Sequence, residues 1–207
     1  MTAQHPPEDV IIVDDDSAVR ETLSIVFTRA GYQVVCFAEG SAFLAVARSR
    51  TPACIILDVH IPGKSGLDIL KELNAQDYPT PIFIMSGKGD IAMAVDAIKS
   101  GALDFIEKPF RGREVLARVR EAIDATHRRS APGRAPMNFP GREPLTRREQ
   151  DVLACIVEGA SNKDTAVRLG ISPRTIEVHR ARIMEKLGAK NAIDLIRIVM
   201  SEGRPRV

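Results

Sequence analysis

Three kinds of side chain in the first part of this 207-residue chain could act together on a phosphoryl group: acids at Asp14, Asp15 and Asp58, a hydroxyl at Ser86 and an amine at Lys108. Asp58 ends the apolar run Cys54-Ile55-Ile56-Leu57, and Val59-His60-Ile61-Pro62-Gly63 turns the chain straight after it. A lone strand-end aspartate is usually a turn former or a helix cap. Several strand ends that are all polar and chemically complementary make a stronger signal. Carboxylates brought together repel one another unless a cation neutralises them, and a hard divalent ion, Mg²⁺ or Mn²⁺, suits oxygen ligands. A hydroxyl donor, an ammonium and a metal around one carboxylate can stabilise the charge of a phosphoryl group during in-line transfer.

The elements that must bring these groups together alternate in type. Val10–Val13 reads as a buried strand leading through Asp14-Asp15-Asp16-Ser17 into a helical period with Val19, Leu23, Val26 and Phe27, closed by Gly31. Gln33–Phe37 predicts a second strand, Ser41 a cap for the next helix, and residues 53–58 the third strand. Leu67, Leu70 and Leu73 mark a helix, Pro81–Ser86 a fourth strand, Asp90 another helix cap, and Leu103–Lys108 the fifth strand. A last helix carries Val115, Leu116, Val119 and Ile123. Five β-α repeats with short connections predict an α/β fold, an open parallel sheet with right-handed crossovers and helices on both faces. In a flavodoxin-like strand order the first and third strands are neighbours, which puts Asp14, Asp15 and Asp58 at one rim, where such sheets collect their chemistry.

Charge divides the chain. Through Asp124 there are 13 Lys and Arg against 18 Asp and Glu, net −5, and from Ala125 onward 16 against 9, net +7. The basic part suits a polyanionic partner. Between the parts, residues 125–143 are rich in Pro, Gly, Arg and Ser with little apolar period, a linker composition. Cys36, Cys54 and Cys155 are odd in number and widely spaced, which fits small buried hydrophobes in a reducing compartment. No apolar run approaches the ~18 residues of a membrane helix, and residues 1–9 are polar, so a soluble cytoplasmic protein is expected.

From Leu145 to Met200 only helical patterns occur, an all-α four-helix unit. Thr146-Arg147-Arg148-Glu149 is a capping box, Ser161 starts a second helix ended by Gly170, and Ser172-Pro173 opens a third that runs to Gly188. Asn191 to Met200 is the fourth. The brief Gly170-Ile171 connection gives the second and third helices the form of a helix-turn-helix. Ile176, His179 and Ile183 face inward, leaving Arg174, Glu177, Val178, Ala181 and Arg182 outward.

Asp14-Asp15, Asp58 with Pro62 and Gly66, Ser86, and Lys108-Pro109 resemble, in order and spacing, the receiver domain of bacterial two-component response regulators. Leu145-Thr146-Arg147-Arg148-Glu149, Ile171-Ser172-Pro173-Arg174-Thr175 and Lys186-Leu187-Gly188 resemble the LuxR-type helix-turn-helix of the FixJ/NarL class, with the FixJ-like pattern the nearest. The resemblance implies a receiver over 8–126, a linker over 127–141 and a DNA-binding domain over 142–207. It implies Asp58 as acceptor of a phosphoryl group from the phosphohistidine of a sensor histidine kinase. Mg²⁺ would be bound directly by Asp15, Asp58 and the backbone carbonyl of His60, with Asp14 acting mostly through water. Ser86 and Lys108 would hold the phosphoryl oxygens, Phe105 would be the aromatic switch, and Lys108-Pro109 would be a cis peptide.

On the DNA side it implies contacts from Lys163, Arg174, Thr175, Glu177, Val178, Arg180, Ala181, Arg182 and Lys186 to double-stranded promoter DNA. A dimer promoted by phosphorylation would span half-sites ~34 Å apart. RNA polymerase is a further implied partner, and no membrane is. The expected role is regulatory rather than enzymatic. A phosphatase of the haloacid dehalogenase kind would want Asp-x-Asp-x-Thr/Val, whereas Asp14-x-Asp16 is followed here by Ser17-Ala18 and no cap domain is evident.

Overall fold

The apolar runs of the first part form one parallel sheet in a computed structural model that describes residues 8–76, 78–87, 91–129, 137–202 and 204–205. The strands β1 (Asp9–Val13), β2 (Gln33–Phe37), β3 (Cys54–Asp58), β4 (Ile82–Ser86) and β5 (Asp104–Glu107) lie in the order β2-β1-β3-β4-β5. Four helices connect them, α1 (Ser17–Arg29), α2 (Gly40–Ala47), α3 (Gly66–Glu72) and α4 (Ile91–Lys99), and α5 (Gly112–Arg129) follows β5. This is the flavodoxin-like order expected. β3 and β4 are buried at every position, which is why they read as continuous apolar runs rather than alternating ones.

Residues of one strand alternate between the two faces of the sheet. Val10, Ile12, Cys54, Ile56, Phe83 and Met85 form one core layer with Leu23 and Phe27 of α1 and Val115, Val119 and Ile123 of α5. Each fully buried Phe or Leu contributes roughly 1.5–3 kcal/mol to folding. Residues pair in register, Ile12 with Ile56 and Asp58 with Met85, so the carboxyl ends of β1, β3 and β4 finish at one rim.

Contacts divide the chain into two compact units, Met1–Asp124 and Ala125–Val207. The second unit contains α6 (Arg147–Val157), α7 (Asn162–Leu169), α8 (Pro173–Leu187) and α9 (Ala192–Glu202). The short strands β6 (Met137–Asn138) and β7 (Arg204–Pro205) pair antiparallel, a feature without a sequence signal. Thr146 and Glu149 close the predicted capping box, and Ser161 and Ser172 accept from Asp164 and Thr175 backbone N–H groups to start α7 and α8. Gly170 and Gly188 end α7 and α8 with φ of 65° and 62°, a conformation that side chains with a Cβ rarely adopt.

Some expectations need correction. α5 continues through Arg129 into the stretch read as linker, and β6 occupies part of its remainder, with Phe139 just beyond it buried at 4% exposure. Residues 130–136 and the expected cap Asp90 lie outside the described residues. Ser41 sits inside α2, whose cap position is Glu39; the Glu39 side chain makes no capping bond to the helix backbone and instead accepts from the Ser41 hydroxyl at 3.4 Å. Cys36 is exposed rather than buried, because β2 is an edge strand with solvent on one side, while Cys54 and Cys155 are buried as expected. Among the described residues, no helix is long and apolar enough to cross a membrane.

Candidate functional site

β1 and β3 deliver Asp14 and Asp58 side by side at the rim, and the loop after β1 adds Asp15. A carboxylate oxygen from each of these three lies within 4.8 Å of the others. Asp14 has no exposed surface and Asp58 4%, whereas Asp15 is exposed. The loop itself is held by local bonds. Asp14 Oδ1 accepts from the Asp16 N–H at 2.9 Å, Asp16 caps α1 through the Ala18 N–H at 2.8 Å, and Arg20 donates to the Asp14 carbonyl at 2.7 Å.

Lys108, just after β5, reaches across to this pair. Its Nζ is 2.8 Å from Asp14 Oδ2 and 3.1 Å from Asp58 Oδ1. Burial pushes the Asp58 carboxyl above its ordinary value, the Asp14 charge adds to that, and Lys108 works against both. Burial also disfavours the Lys108 ammonium, but the two carboxylates outweigh it and its pKa is raised. The site therefore carries its charges as a coupled group whose ammonium stays protonated. Hard carboxylate oxygens at this spacing, two of them nearly sealed from solvent, fit a divalent cation with water completing its shell.

Ser86, at the end of β4, is 3% exposed at the same rim, and the Lys108 N–H bonds its carbonyl at 2.7 Å. Lys108-Pro109 is cis. His60 lies exposed in the loop after β3. Phe105 in β5 is half-buried.

The packing reason for the motif glycine Gly66 and one buried ion pair escaped the sequence reading. Gly66 starts α3 directly against β3: a Cβ there would lie 2.4 Å from the Asp58 carbonyl oxygen. Arg118 of α5 donates to Asp104, whose side chain is wholly buried, at 2.5 Å, and to the Phe105 carbonyl at 2.6 Å. Asp104 in turn accepts the Phe105 N–H at 2.9 Å. Both backbone groups of Phe105 are thus satisfied by side chains on the outer edge of β5, which covers an otherwise open sheet edge. The Gly66 signal was its fixed offset after Asp58. Asp104 and Arg118 carried none, being on different elements.

In the second unit, α8 exposes Arg174, Glu177 and Ala181 and half-exposes Val178, Arg180 and Arg182; Lys163 of α7 is exposed. Ile176, His179 and Ile183 are buried, as their period predicts. Thr175 and Lys186 do not belong to the outward set. Thr175 has no exposed surface, and its hydroxyl lies 2.8 Å from that of Ser172. Lys186 is buried with Glu149 at 3.0 Å and the Pro144 carbonyl at 3.2 Å, so its charge is spent inside the domain.

A parallel five-stranded sheet with an acidic rim, joined to a helical unit that presents one helix of a helix-turn-helix, defines a phosphorylation-receiver class of DNA-binding regulator. The chain matches the response regulator receiver domain over residues 10–120 and the bacterial regulatory proteins of the luxR family over residues 143–199. It belongs to the two-component response regulators with a LuxR-type DNA-binding domain, of the FixJ type. It is 40% identical over 195 residues to the transcriptional regulatory protein FixJ of Azorhizobium caulinodans, covering 94% of this chain and 92% of that one. The response regulator protein TodT of Pseudomonas putida is 43% identical over 190 residues, covering 91% and 84%. Full-length FixJ from B. japonicum has a TM-score of 0.52 at 34% identity, covering 95% of this chain and 97% of that one.

Proposed function

We propose that Asp58 accepts a phosphoryl group from the phosphohistidine of a sensor histidine kinase, and that the phosphorylated chain dimerises and binds promoter DNA to regulate transcription. The observation that carries this is the Lys108 ammonium set between Asp14 and Asp58, with Ser86 at the same rim. An Asp58 carboxylate oxygen attacks phosphorus, the phosphorus–nitrogen bond of the donor breaks, and the released imidazole recovers its electron pair. Asp15, Asp58 and the His60 carbonyl, together with Asp14, would hold Mg²⁺, which when bound would supply positive charge to the phosphoryl oxygens. Lys108 pairs with the same oxygens and Ser86 donates to one of them. These contacts favour an inward Ser86 and a repositioned Phe105, so a local charge change biases a two-state element.

In the second unit, α8 is the helix assigned to the major groove. Arg174, Arg180, Arg182 and Lys163 supply phosphate contacts, and Glu177, Val178 and Ala181 face base edges. A dimer is supported by α9, which leaves Ile193 81% and Met200 75% exposed along one stripe with Ile196. Labelling with a radioactive phosphodonor tests the reading: Asp58→Asn should abolish incorporation while the chain keeps its fold. Incorporation unchanged by that substitution would overturn it, as would gel-filtration mass and DNA affinity indifferent to phosphorylation.

A further inference from the structure

α6 and α8 are tied by one buried carboxylate. Glu149, 2% exposed, accepts the Thr146 N–H through Oε2 at 2.8 Å and thereby closes the cap of α6. Capping needs no more than that. Yet the same carboxylate takes two cations from α8, Lys186 on Oε2 at 3.0 Å and Arg182 on Oε1 at 3.5 Å. Lys186 is sealed in and also meets Glu143 at 3.3 Å. Arg182 instead keeps 26% of its side chain in solvent, on the face that carries Glu177, Val178 and Ala181.

We propose that Glu149 is a positioning residue for DNA reading, acting through Arg182. Through Lys186 it fixes the roll of α8 against α6. Through Arg182 it engages Nε and leaves the two outer guanidinium nitrogens to meet a phosphate. Phosphate contacts set the register of a protein on its duplex, and a pre-placed side chain loses less freedom when it makes one. A register error at Arg182 would shift the neighbouring base-facing residues from their base pairs, so Glu149 governs discrimination more than raw affinity. The inference rests on α8 being the DNA-facing helix.

The test uses the full-length chain with acetyl phosphate and Mg²⁺, a duplex selected by the unaltered chain from a random pool, and a scrambled duplex. Affinities for both are measured across a salt series. Arg182→Met should flatten the slope of log affinity against log salt by about 0.9, the value of one phosphate. Glu149→Gln should lower the ratio of selected to scrambled affinity roughly tenfold, the scale of one misread base pair. On the Arg182→Met background it should lower that ratio no further, an outcome that a purely structural role does not give.

Glu149→Gln could fail to fold, since it leaves Lys186 buried without its carboxylate. Arg182→Lys is therefore the second variant: it keeps the charge and the salt slope but lacks the Nε that Glu149 holds, and should lose discrimination. A full ratio in Arg182→Lys overturns the proposal, as does an effect of Glu149→Gln undiminished by Arg182→Met. If Arg182→Met alters neither slope nor ratio, the assignment of α8 fails as well, a result distinct from the other two.

Discussion

The Lys108 ammonium stands 3.1 Å from the Asp58 carboxylate while also holding Asp14 at 2.8 Å, so one side chain serves as the cation that the acidic rim requires. Removing it leaves Asp14, with no exposed surface, as a buried charge without a counter-charge among the described residues. Losing one member of a buried pair costs about 3 kcal/mol or more. Lys108→Met should therefore destabilise the receiver by that amount in chelator, and added Mg²⁺ should restore much of it. Urea unfolding with and without Mg²⁺ measures both; equal midpoints for the variant in the two conditions would remove the basis for a metal at this rim.

Asp58 gives a pH signature of the opposite kind. Burial and the Asp14 charge raise its carboxyl above the ordinary value, so the folded state holds this proton more tightly than the unfolded chain does. Its ionisation costs stability at neutral pH, and the cost disappears as pH falls below the unfolded carboxyl value of about 3.9. Metal-free Asp58→Asn should thus melt above the unaltered chain at pH 7, with the gap closing toward pH 4. A gap independent of pH would show that the gain is not electrostatic.

Gly66 leaves no room for a side chain. A Cβ would lie 2.4 Å from the Asp58 carbonyl oxygen and 3.0 Å from the Val59 Cα, and both obstacles are backbone. Gly66→Ala should cost about 1–3 kcal/mol, as overpacking does, and should slow labelling by moving the β3 end. Labelling rate and urea midpoint unchanged together would contradict the close packing of α3 on β3.

His179 predicts an acid weakness in the helical unit. It is 5% exposed, its Nε2 is buried without a hydrogen-bond partner among the described residues, and burial first, then the nearby Arg182 charge, lowers its pKa to about 4. The unfolded chain takes up this proton near pH 6.5, so stability is fully present above that value, declines as pH falls toward about 4, and then levels. The decline amounts to about 3 kcal/mol. His179→Leu should flatten it, as read from urea unfolding of the full-length chain by circular dichroism between pH 7 and 4. An unchanged slope would place the acid sensitivity elsewhere.

The difference between legible and hidden features follows from where their physics lies. β3 and Asp58 were legible because a strand buried on both faces is an apolar run, and the switch to a carboxylate marks the rim. The bounds of α8 were legible because Ser172, Pro173 and Gly188 act locally. Lys186 was not, since a lysine is outward by default and its partners, Glu149, 37 positions away, with Glu143 and the Pro144 carbonyl, lie far off in sequence. Cys36 misled because an apolar run shows burial on a sheet but not which strand has the edge. The last turn of α5 carries no apolar period, yet a helix already nucleated extends at small cost.

Asp14 and Lys108 are separated by 94 positions in sequence. The acid arrives with the first strand and its cation only after the last, so every shorter chain holds the carboxylates without the charge that balances them. A receiver that stops short of β5 carries the acids without Lys108 beside them. The charge balance of the acids thus depends on a residue beyond the last strand, and with it on the whole sheet being present.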